Sequence, residues 1–341
     1  MVKLREGQGR LFTSPDVEQA RAFFRTKSRA MTSKLMSVRE AVSRFVKDGD
    51  YFASGGFGTN RISTAVLHEM LRQGVQDLGI AGHTTTHDFE ILAAGNLTGR
   101  GKLMARVDAA YIVGLEARGL SPHARRVMES GEVEICEWTN YALALRFLAA
   151  AMGVPFLPAR NILGSETFER SGAKEIACPF TGIKLVAYPA LYPDVAAIHV
   201  HEADEYGNCR IRGISVADTD LARAAKKVII TTERLISTDE IRSDPSRTSI
   251  LHHCVDAVCV VPYGSYPGNM PYEYFSDEEH LREWLAAEKD LDTLKAFLER
   301  NIYAVKSFED YLELHGGRKR IEQLREEELA PQRGGAGHAS V

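Results

Sequence analysis

The chain has 341 residues, of which 44% are apolar and 26% charged, and this composition supports a sizeable buried core. Its 42 Lys and Arg residues and 46 Asp and Glu residues give a net charge of -4, which argues against a nucleic-acid partner, since such partners favour a basic surface. No apolar stretch reaches the roughly 18 residues that span a bilayer, so no membrane partner is expected. The five cysteines are scattered without a CxxC pair, which predicts reduced thiols, no metal site and a cytoplasmic protein.

The two ends of the chain differ from its middle in being polar. Residues 1–34 mix acidic and basic side chains and contain no apolar run typical of a secretion signal. We predict a polar N-terminal extension here, outside the main fold, with a helix around residues 15–26. The main domain is predicted over residues 35–315, followed at 316–341 by a charged helical tail that is disordered at its end.

From Ser37 onward, helix and strand patterns alternate along the chain. Ser37 and Glu40 form a capping box ahead of the first of these helices. Further helices are predicted at 62–73, 89–93, 121–130 and 139–152, and strands at 51–53, 78–81, 103–107, 110–114, 133–136, 195–200, 227–231 and 255–261. Strands separated by helices imply βαβ units, so the predicted fold class is α/β, an open, mostly parallel sheet flanked by helices.

Residues 160–192 interrupt this alternation. The segment contains Gly164, Pro179, Gly182 and Pro189 and shows weak periodicity. We predict an irregular or partly antiparallel insertion there. The C-terminal region beyond the last strand is charged and has helical periodicity, so it is predicted to be helical.

The strongest local feature is a strand that ends in consecutive glycines before a helix. The run Gly55-Gly56-Phe57-Gly58 directly follows the segment Tyr51–Ser54. Glycine permits positive φ and lets a ligand approach the backbone N–H groups, and the start of the next helix favours an anion. The run therefore predicts an anion or oxyanion site, but a plain tight βα turn has the same pattern. Its spacing does not fit the GxGxxG dinucleotide fingerprint, and no Walker loop is present.

This glycine run begins a series of motifs that resembles the alpha subunits of family I coenzyme A transferases. In chain order, the matching segments are Asp48-Gly49, Gly55-Gly56-Phe57, Leu71-Arg72-Gln73-Gly74 with Asp77-Leu78, residues 149–158 (AAAMGVPFLP), residues 240–245 (EIRSDP), Val255-Asp256-Ala257-Val258 and Pro262-Tyr263-Gly264. The series covers roughly residues 35–315 and is most similar to the A-type (alpha) subunits of the glutaconate branch. The resemblance implies a CoA-transferase-like fold.

Two departures from the family pattern concern the substrate. Arg61 and Ser63 stand where the general signature has a glycine and a proline, and the glutaconate branch shares the arginine. Where that branch has further glycines, this chain has residues 83–87, His-Thr-Thr-Thr-His. Because that segment is expected to face the acyl group, the substrate need not be glutaconate.

The resemblance implies an exchange of CoA between an acyl-CoA and a carboxylic acid, with CoA as a substrate group and no further cofactor. In such enzymes a glutamate attacks the thioester, and the reaction passes through an acyl anhydride and a glutamyl–CoA thioester. That glutamate lies in a Ser-Glu-Asn-Gly segment of the beta-type chain. This sequence has no such segment, because its Ser165-Glu166 pair is followed by Thr-Phe. We therefore expect a beta-type partner, two copies of each chain in a heterotetramer, and no activity from this chain alone.

The resemblance also implies roles for individual residues. Backbone amides of Gly55, Gly56, Phe57 and Gly58 are expected to hold the acyl carbonyl or its oxyanion. Arg61 is expected to bind the distal carboxylate of a dicarboxylic acyl group, the alternative being an arginine in water at a helix start.

The two histidines of residues 83–87 are further binding candidates. His83 and His87 are predicted to contact substrate or to be satisfied by hydrogen bonds. A shared metal is disfavoured, because the threonines between them disfavour a helix and no third ligand is evident.

Two other functions are compatible with the same sequence. Glu137 ends a predicted strand, where it is a candidate base for a hydrolase acting on a ring-containing acyl-CoA, although it can equally be a solvated or capping residue. The third possibility is an acyl-CoA-binding protein without catalysis.

Overall fold

The computed structural model of the chain describes residues 4–97, 101–112 and 119–333. The strands are β1 Tyr51–Ser54, β2 Leu78–Gly82, β3 Met104–Ala109, β4 Glu134–Glu137, β5 Phe156–Ala159, β6 Lys174–Ala177, β7 Lys184–Pro189, β8 Val195–Ala203, β9 Cys209–Arg210, β10 Lys227–Leu235 and β11 Ala257–Val260. The helices are α1 Val17–Thr26, α2 Val38–Phe45, α3 Thr64–Gln73, α4 His87–Gly95, α5 Pro122–Glu129, α6 Asn140–Met152, α7 Glu166–Arg170, α8 Asp218–Ala224, α9 Thr238–Ser243, α10 Glu278–Ala287, α11 Leu291–Leu298, α12 Phe308–Leu314 and α13 Gly317–Arg333. None of them is long and apolar enough to cross a membrane. The predicted disordered end falls outside the described residues.

The main sheet confirms the predicted α/β class. Its strand order is β11-β10-β8-β1-β2-β3-β4, all parallel along this path, with β9 antiparallel to β8. From β1 the chain builds outward through β2, β3 and β4, whereas β8, β10 and β11 lie on the other side of β1. The order of the strands therefore reverses between β1 and β8. In open α/β sheets, ligands bind at the carboxyl ends of the strands beside such a switch point.

Both faces of the sheet are buried, as expected for parallel strands covered by helices. Side chains alternate along β1: Phe52 faces the core formed with α2, α3 and α4, whereas Tyr51 and Ala53 face the core formed with α6 and α8. Helices α3 and α6 each end in a left-handed glycine, Gly74 (φ 68°) and Gly153 (φ 69°). Gly74 and Gly153 belong to two of the family-like segments, residues 71–74 and 149–158. Their role in ending a helix explains why these motifs contain a glycine.

The predicted insertion at 160–192 contributes β6 and β7 to a separate three-stranded antiparallel sheet with the order β5-β7-β6, whose β5 precedes the insertion. Beyond the last strand, α10–α13 form the predicted helical region. The two strands predicted at 103–107 and 110–114 are one strand, β3, followed by a single bridge from Tyr111 to Thr84. The break predicted at residues 108–109 therefore lies inside β3, and residues 113–114 fall outside the described part.

The N-terminal segment packs on the fold instead of lying outside it. Gly7 N–H donates to Ala173 O at 2.8 Å, next to the insertion strand β6. A Cβ on Gly7 would lie 2.0 Å from Ser171 O, so glycine is what permits this approach. Lys27 forms a buried ion pair with Asp256 at 2.7 Å, near β11. The domain boundary at residue 34 itself stays a prediction.

Candidate functional site

The glycine run forms a tight turn at the carboxyl end of β1, beside the switch point. Gly56, Gly58 and Arg61 all have positive φ, of 74°, 62° and 58°. A Cβ on Gly56 would lie 2.3 Å from the carbonyl oxygen of Asn60, whereas a Cβ on Gly58 would meet nothing within 4 Å. Gly56 is therefore required both by its φ and by the close return of the chain, and Gly58 by its φ alone.

The amides of this turn are not open to a ligand, because each of the four already donates a hydrogen bond within the chain. The acceptors are Ala197 O for Gly55 (2.9 Å), Asp218 Oδ1 for Gly56 (2.8 Å), Asn60 O for Phe57 (3.1 Å) and Thr84 O for Gly58 (2.7 Å). Three of these acceptors are backbone carbonyls of the fold. Among the four, only the Gly56 amide donates to a side-chain carboxylate. Another anion can replace that carboxylate as the acceptor. The binding role of the run stays a prediction.

Arg61 and Asp218 form a fully buried ion pair behind this turn. Nη2 of Arg61 lies 2.8 Å from Oδ2 of Asp218 and 2.8 Å from the carbonyl oxygen of Ile214, while Nη1 lies 3.2 Å from Oδ1. Burial favours the neutral acid, but the guanidinium and the Gly56 amide outweigh it and hold the pKa of Asp218 below its ordinary value. Arg61 is thus not the solvated arginine of the alternative interpretation. Its carboxylate-binding fork already holds a carboxylate, one supplied by the protein.

Asp218 is the site residue that sequence analysis missed. It begins α8, where an aspartate looks like an ordinary first-turn acid. It is 157 positions from Arg61, and the pairing of β1 with β8 brings the two regions together. No local signal identified it, because the burial of Arg61, which requires an acidic partner, is itself known only from the structure.

Several polar atoms of the turn lack hydrogen-bond partners within the described part of the chain. They are Oδ1 of Asn60, Nε of Arg61 and Oγ of Ser63, all of them buried. Unsatisfied buried polar groups are costly, so three within four consecutive residues indicate a place where a ligand or water completes the bonding.

A buried carboxyl lies directly behind the turn. Asp88 accepts hydrogen bonds from the Thr86 and Phe89 amides and from the hydroxyl of Ser54, the last residue of β1. Burial raises the pKa of Asp88 to about 7, against the opposing effect of these donors. The site thus contains an acid that changes charge near neutral pH.

The two candidate histidines have different surroundings. His83 is bonded through Nδ1 to Oγ1 of Thr84 at 2.9 Å, and the same Thr84 accepts the Gly58 amide on its carbonyl, so His83 adjoins the turn. Burial lowers the pKa of His83, with the Asp218 carboxylate opposing the shift. His87 instead bonds Glu90 at 2.9 Å and packs edge-on against Trp284 of α10. The structure therefore places His83 beside the turn but directs His87 towards the C-terminal helices.

Glu137 lies elsewhere on the sheet. It ends β4, which is separated from β1 by β2 and β3. Its side chain is 35% exposed and forms an ion pair with Arg170 at 2.9 Å. It is not brought together with the turn, and its role as a base stays a prediction.

Comparison with known proteins supports the family suggested by the motifs. The family model described as coenzyme A transferase matches residues 35–260. A protein of Archaeoglobus fulgidus is 50% identical over 322 residues, which are 94% of this chain and 71% of that protein.

Two relatives carry functional names. The A-type subunit of glutaconate CoA-transferase from Acidaminococcus fermentans is 32% identical over 306 residues, 85% of this chain and 94% of the relative. The crystal structure of that transferase superimposes with a TM-score of 0.79 and covers 86% of this chain and 95% of that one. The A-type subunit of 3-oxoadipate CoA-transferase from Pseudomonas knackmussii is 33% identical over 283 residues, 82% of this chain and 97% of the relative. The chain therefore belongs to the coenzyme A transferase family, as a homologue of its A-type (alpha) subunits.

Proposed function

We propose that this chain forms half of a cytoplasmic, heteromeric CoA-transferase that exchanges CoA between an acyl-CoA and a small carboxylic acid. The chain binds the acyl group, and a beta-type subunit supplies the nucleophilic glutamate. Two copies of each chain make up the proposed assembly. Homology to A-type subunits and the lack of a Ser-Glu-Asn-Gly segment in the sequence support this division of labour.

The observation that carries the proposal is the Arg61–Asp218 pair at the switch point of the sheet. A bidentate guanidinium site in a buried setting matches the geometry of a carboxylate. Asp218 bonds Arg61 and the Gly56 amide together, at 2.8 Å in each case. We propose that the distal carboxylate of a dicarboxylic acyl group binds here and shares or replaces the contacts of Asp218 with Arg61.

The proposed chemistry takes place in two covalent steps. The partner's glutamate carboxylate attacks the thioester carbonyl, the C–S bond breaks, CoA leaves as a thiolate, and an acyl–glutamyl anhydride forms. The thiolate then attacks the glutamyl carbonyl of the anhydride, which releases the acid and leaves a glutamyl–CoA thioester. The acceptor acid reverses both steps.

Within these steps, the present chain positions the acyl group and stabilises charge. The tetrahedral oxyanion needs a donor that can leave its present acceptor. Among the described groups of the turn, we assign this role to the Gly56 amide, which would exchange Asp218 for the oxyanion, while the Arg61 guanidinium serves the distal carboxylate. One well-placed donor of this kind contributes about 3 kcal/mol in the transition state.

The hydrolase alternative has less support from the structure. It rests on Glu137 as the base, but this residue is on β4 and its carboxylate is paired with Arg170. A base that acts on a substrate at the turn would have to be within hydrogen-bond reach of it. We therefore favour transfer over hydrolysis.

The test compares CoA exchange by the purified chain and by the chain coexpressed with a beta-type subunit. We expect no turnover from the chain alone and full exchange from the complex. A second complex, with the partner's Ser-Glu-Asn-Gly changed to Ser-Gln-Asn-Gly, serves as the control and should be inactive. Turnover by the chain alone, or by the control complex, would contradict the proposal. Release of free CoA without an acceptor acid would favour the hydrolase.

A further inference from the structure

A cluster of two histidines and one glutamate lies in the C-terminal helical region, apart from the proposed active site. His280 and Glu283 are three positions apart on α10 and so share one face of the helix. His315 is the C-terminal cap of α12, at the junction with α13. One nitrogen of each histidine and one carboxylate oxygen of Glu283 lie within 4.8 Å of one another.

Both imidazoles are held by their remaining ring nitrogen. Nε2 of His315 lies 2.7 Å from Oδ1 of Asn301, whose Nδ2 donates to the Phe297 carbonyl. The Asn301 oxygen therefore accepts, His315 donates from Nε2, and Nδ1 keeps its lone pair. Nε2 of His280 lies 2.7 Å from the hydroxyl of Tyr311, which can accept a hydrogen bond from it and leave Nδ1 of His280 basic. Histidines that ligate metals are oriented in this way, by a hydrogen bond on the other nitrogen.

The spacing within the cluster suits one shared ion better than direct hydrogen bonds. Nδ1 of His280 and Oε2 of Glu283 are 3.4 Å apart, which is long for a charge-assisted hydrogen bond. Two ligands of one tetrahedral zinc ion, each about 2.1 Å from the metal, are about 3.4 Å apart. The widest of the three separations, at most 4.8 Å, would have to close by about 1.4 Å to reach that spacing.

The surroundings of the cluster admit solvent. A cavity of about 390 Å³ adjoins the cluster and is lined in addition by Asp277, Glu279 and Arg320. The side chain of Glu283 is 52% exposed, which leaves it free to turn towards an ion.

We propose that His280, Glu283 and His315 bind a transition-metal dication of the zinc type, with water from the cavity as a further ligand. Two nitrogens and one carboxylate oxygen are a donor set that suits zinc, cobalt and nickel and does not suit magnesium or calcium. The ion links the middle of α10 to the junction of α12 and α13. Its role is to hold the C-terminal helices together.

The experiment uses the full chain, stripped with a chelator, titrated with Co²⁺ and then with Zn²⁺. We expect one Co²⁺ per chain with the visible absorption of a tetrahedral site, loss of that absorption as Zn²⁺ replaces it, and a rise in Tm with Zn²⁺. His315→Ala should weaken binding at least 100-fold. Glu283→Gln, at a largely exposed position, should weaken it at least 10-fold without affecting the fold.

The matched control is His253→Ala, a partly exposed histidine outside the cluster, which should bind Co²⁺ as the wild-type chain does. Circular dichroism of the metal-free variants establishes that each is folded. Binding of less than one ion per chain, or equal binding by wild type and Glu283→Gln, would overturn the proposal. Because the measurement is metal binding, it is independent of whether the chain takes part in CoA transfer.

Discussion

Two arginine–aspartate pairs in the described part of the chain are fully buried and have the same closest distance. Arg61–Asp218 and Arg146–Asp108 each have 0% exposure on both side chains and an N–O separation of 2.8 Å. Each guanidinium also has one nitrogen without a partner within the described chain, Nε of Arg61 and Nη2 of Arg146. Burial, pairing and an unsatisfied nitrogen therefore do not separate a binding site from a structural contact.

What differs is the surroundings of the two pairs. Asp108 also accepts from the hydroxyl of Tyr51 and the indole of Trp138, and Arg146 lies over the Trp138 ring at 4.1 Å, so this pair is enclosed by core side chains. Arg61 has positive φ, and its pair is bonded to the backbone of the glycine turn and to Ile214, which is 59% exposed. Position beside the switch point, together with contact to a surface segment, distinguishes the Arg61–Asp218 pair and supports the binding role proposed for it.

The largest expected effect is on stability, at the enclosed pair. Asp108→Ala removes the partner of a buried guanidinium and should lower the free energy of unfolding by about 3–5 kcal/mol, measured by urea denaturation. Glu134→Ala, which removes only an exposed ion pair with Arg10, is the control and should cost less than about 1 kcal/mol. The double variant Asp108→Leu with Arg146→Met should recover only part of the loss, because the Tyr51 hydroxyl and the Trp138 indole still lose the Asp108 acceptor. A cost below about 1 kcal/mol for Asp108→Ala would show that this pair is not structural.

The next effect separates the pairs by activity. In the complex, Arg61→Lys should lower kcat/KM for a dicarboxylic acceptor by about 10- to 100-fold, since a lysine cannot make the two parallel hydrogen bonds of a guanidinium. A monocarboxylic acceptor of similar size should be affected much less. Arg146→Lys should lower stability and leave kcat/KM of the folded enzyme unchanged. If both acceptors respond equally to Arg61→Lys, the carboxylate-binding role is wrong.

Local sequence patterns were sufficient for the elements and for the turn. Helix periodicity, the Ser37 cap and the run from Tyr51 to Gly58 depend on neighbouring residues, and the structure has the corresponding helix, strand and turn. The insertion at 160–192 was recognisable because its turn residues break the alternation. Irregular and partly antiparallel structure were both predicted for it, whereas its three-stranded sheet was not.

The polar contacts of the site could not be predicted, because they depend on strand order. Asp218 meets Gly56 only because β8 pairs with β1, which no local pattern specifies. The histidines, in contrast, followed their local pattern: the threonines between them disfavoured a helix, and α4 begins only at His87, so His83 precedes it in an irregular segment. Arg61 was identified as a site residue from the resemblance, whereas its burial and its partner are tertiary facts.

Two glycine variants, with smaller expected effects on stability, test whether the turn beside Asp218 must keep its shape. Gly58→Ala requires a left-handed alanine and should cost about 1–2 kcal/mol in stability. Gly56→Ala requires the same and also places a Cβ 2.3 Å from the Asn60 carbonyl, so the turn must move. We expect exchange activity of the Gly56 variant to be at least tenfold below that of the Gly58 variant, measured as kcat/KM on the complex. Equal activities would show that the close approach of the Asn60 carbonyl to Gly56 does not matter for exchange.

The last prediction concerns pH, where Asp88 and Asp218 should act in opposite directions. The pKa of Asp88 is raised from 3.8 to about 7, so between these values the folded chain holds a proton that the unfolded chain has lost. Stability therefore falls as pH rises through this window, by about 1.4 kcal/mol per pH unit, and the loss is complete above about pH 7. The pKa of Asp218 is lowered instead, so its contribution is present above pH 3.8 and lost only as pH falls below it.

The isosteric variant Asp88→Asn separates the two limbs of the pH profile. It keeps an oxygen for the Thr86 and Phe89 amides but cannot ionise, so its unfolding free energy between about pH 5 and 7 should decline less steeply than that of the wild type. Its decline below about pH 4, to which Asp218 contributes, should be unchanged. Parallel curves in the upper window would mean that Asp88 stays ionised behind the turn. A buried anion would then lie beside the proposed carboxylate site and oppose the binding of an anionic acyl group, so this measurement also bears on the dicarboxylic substrate.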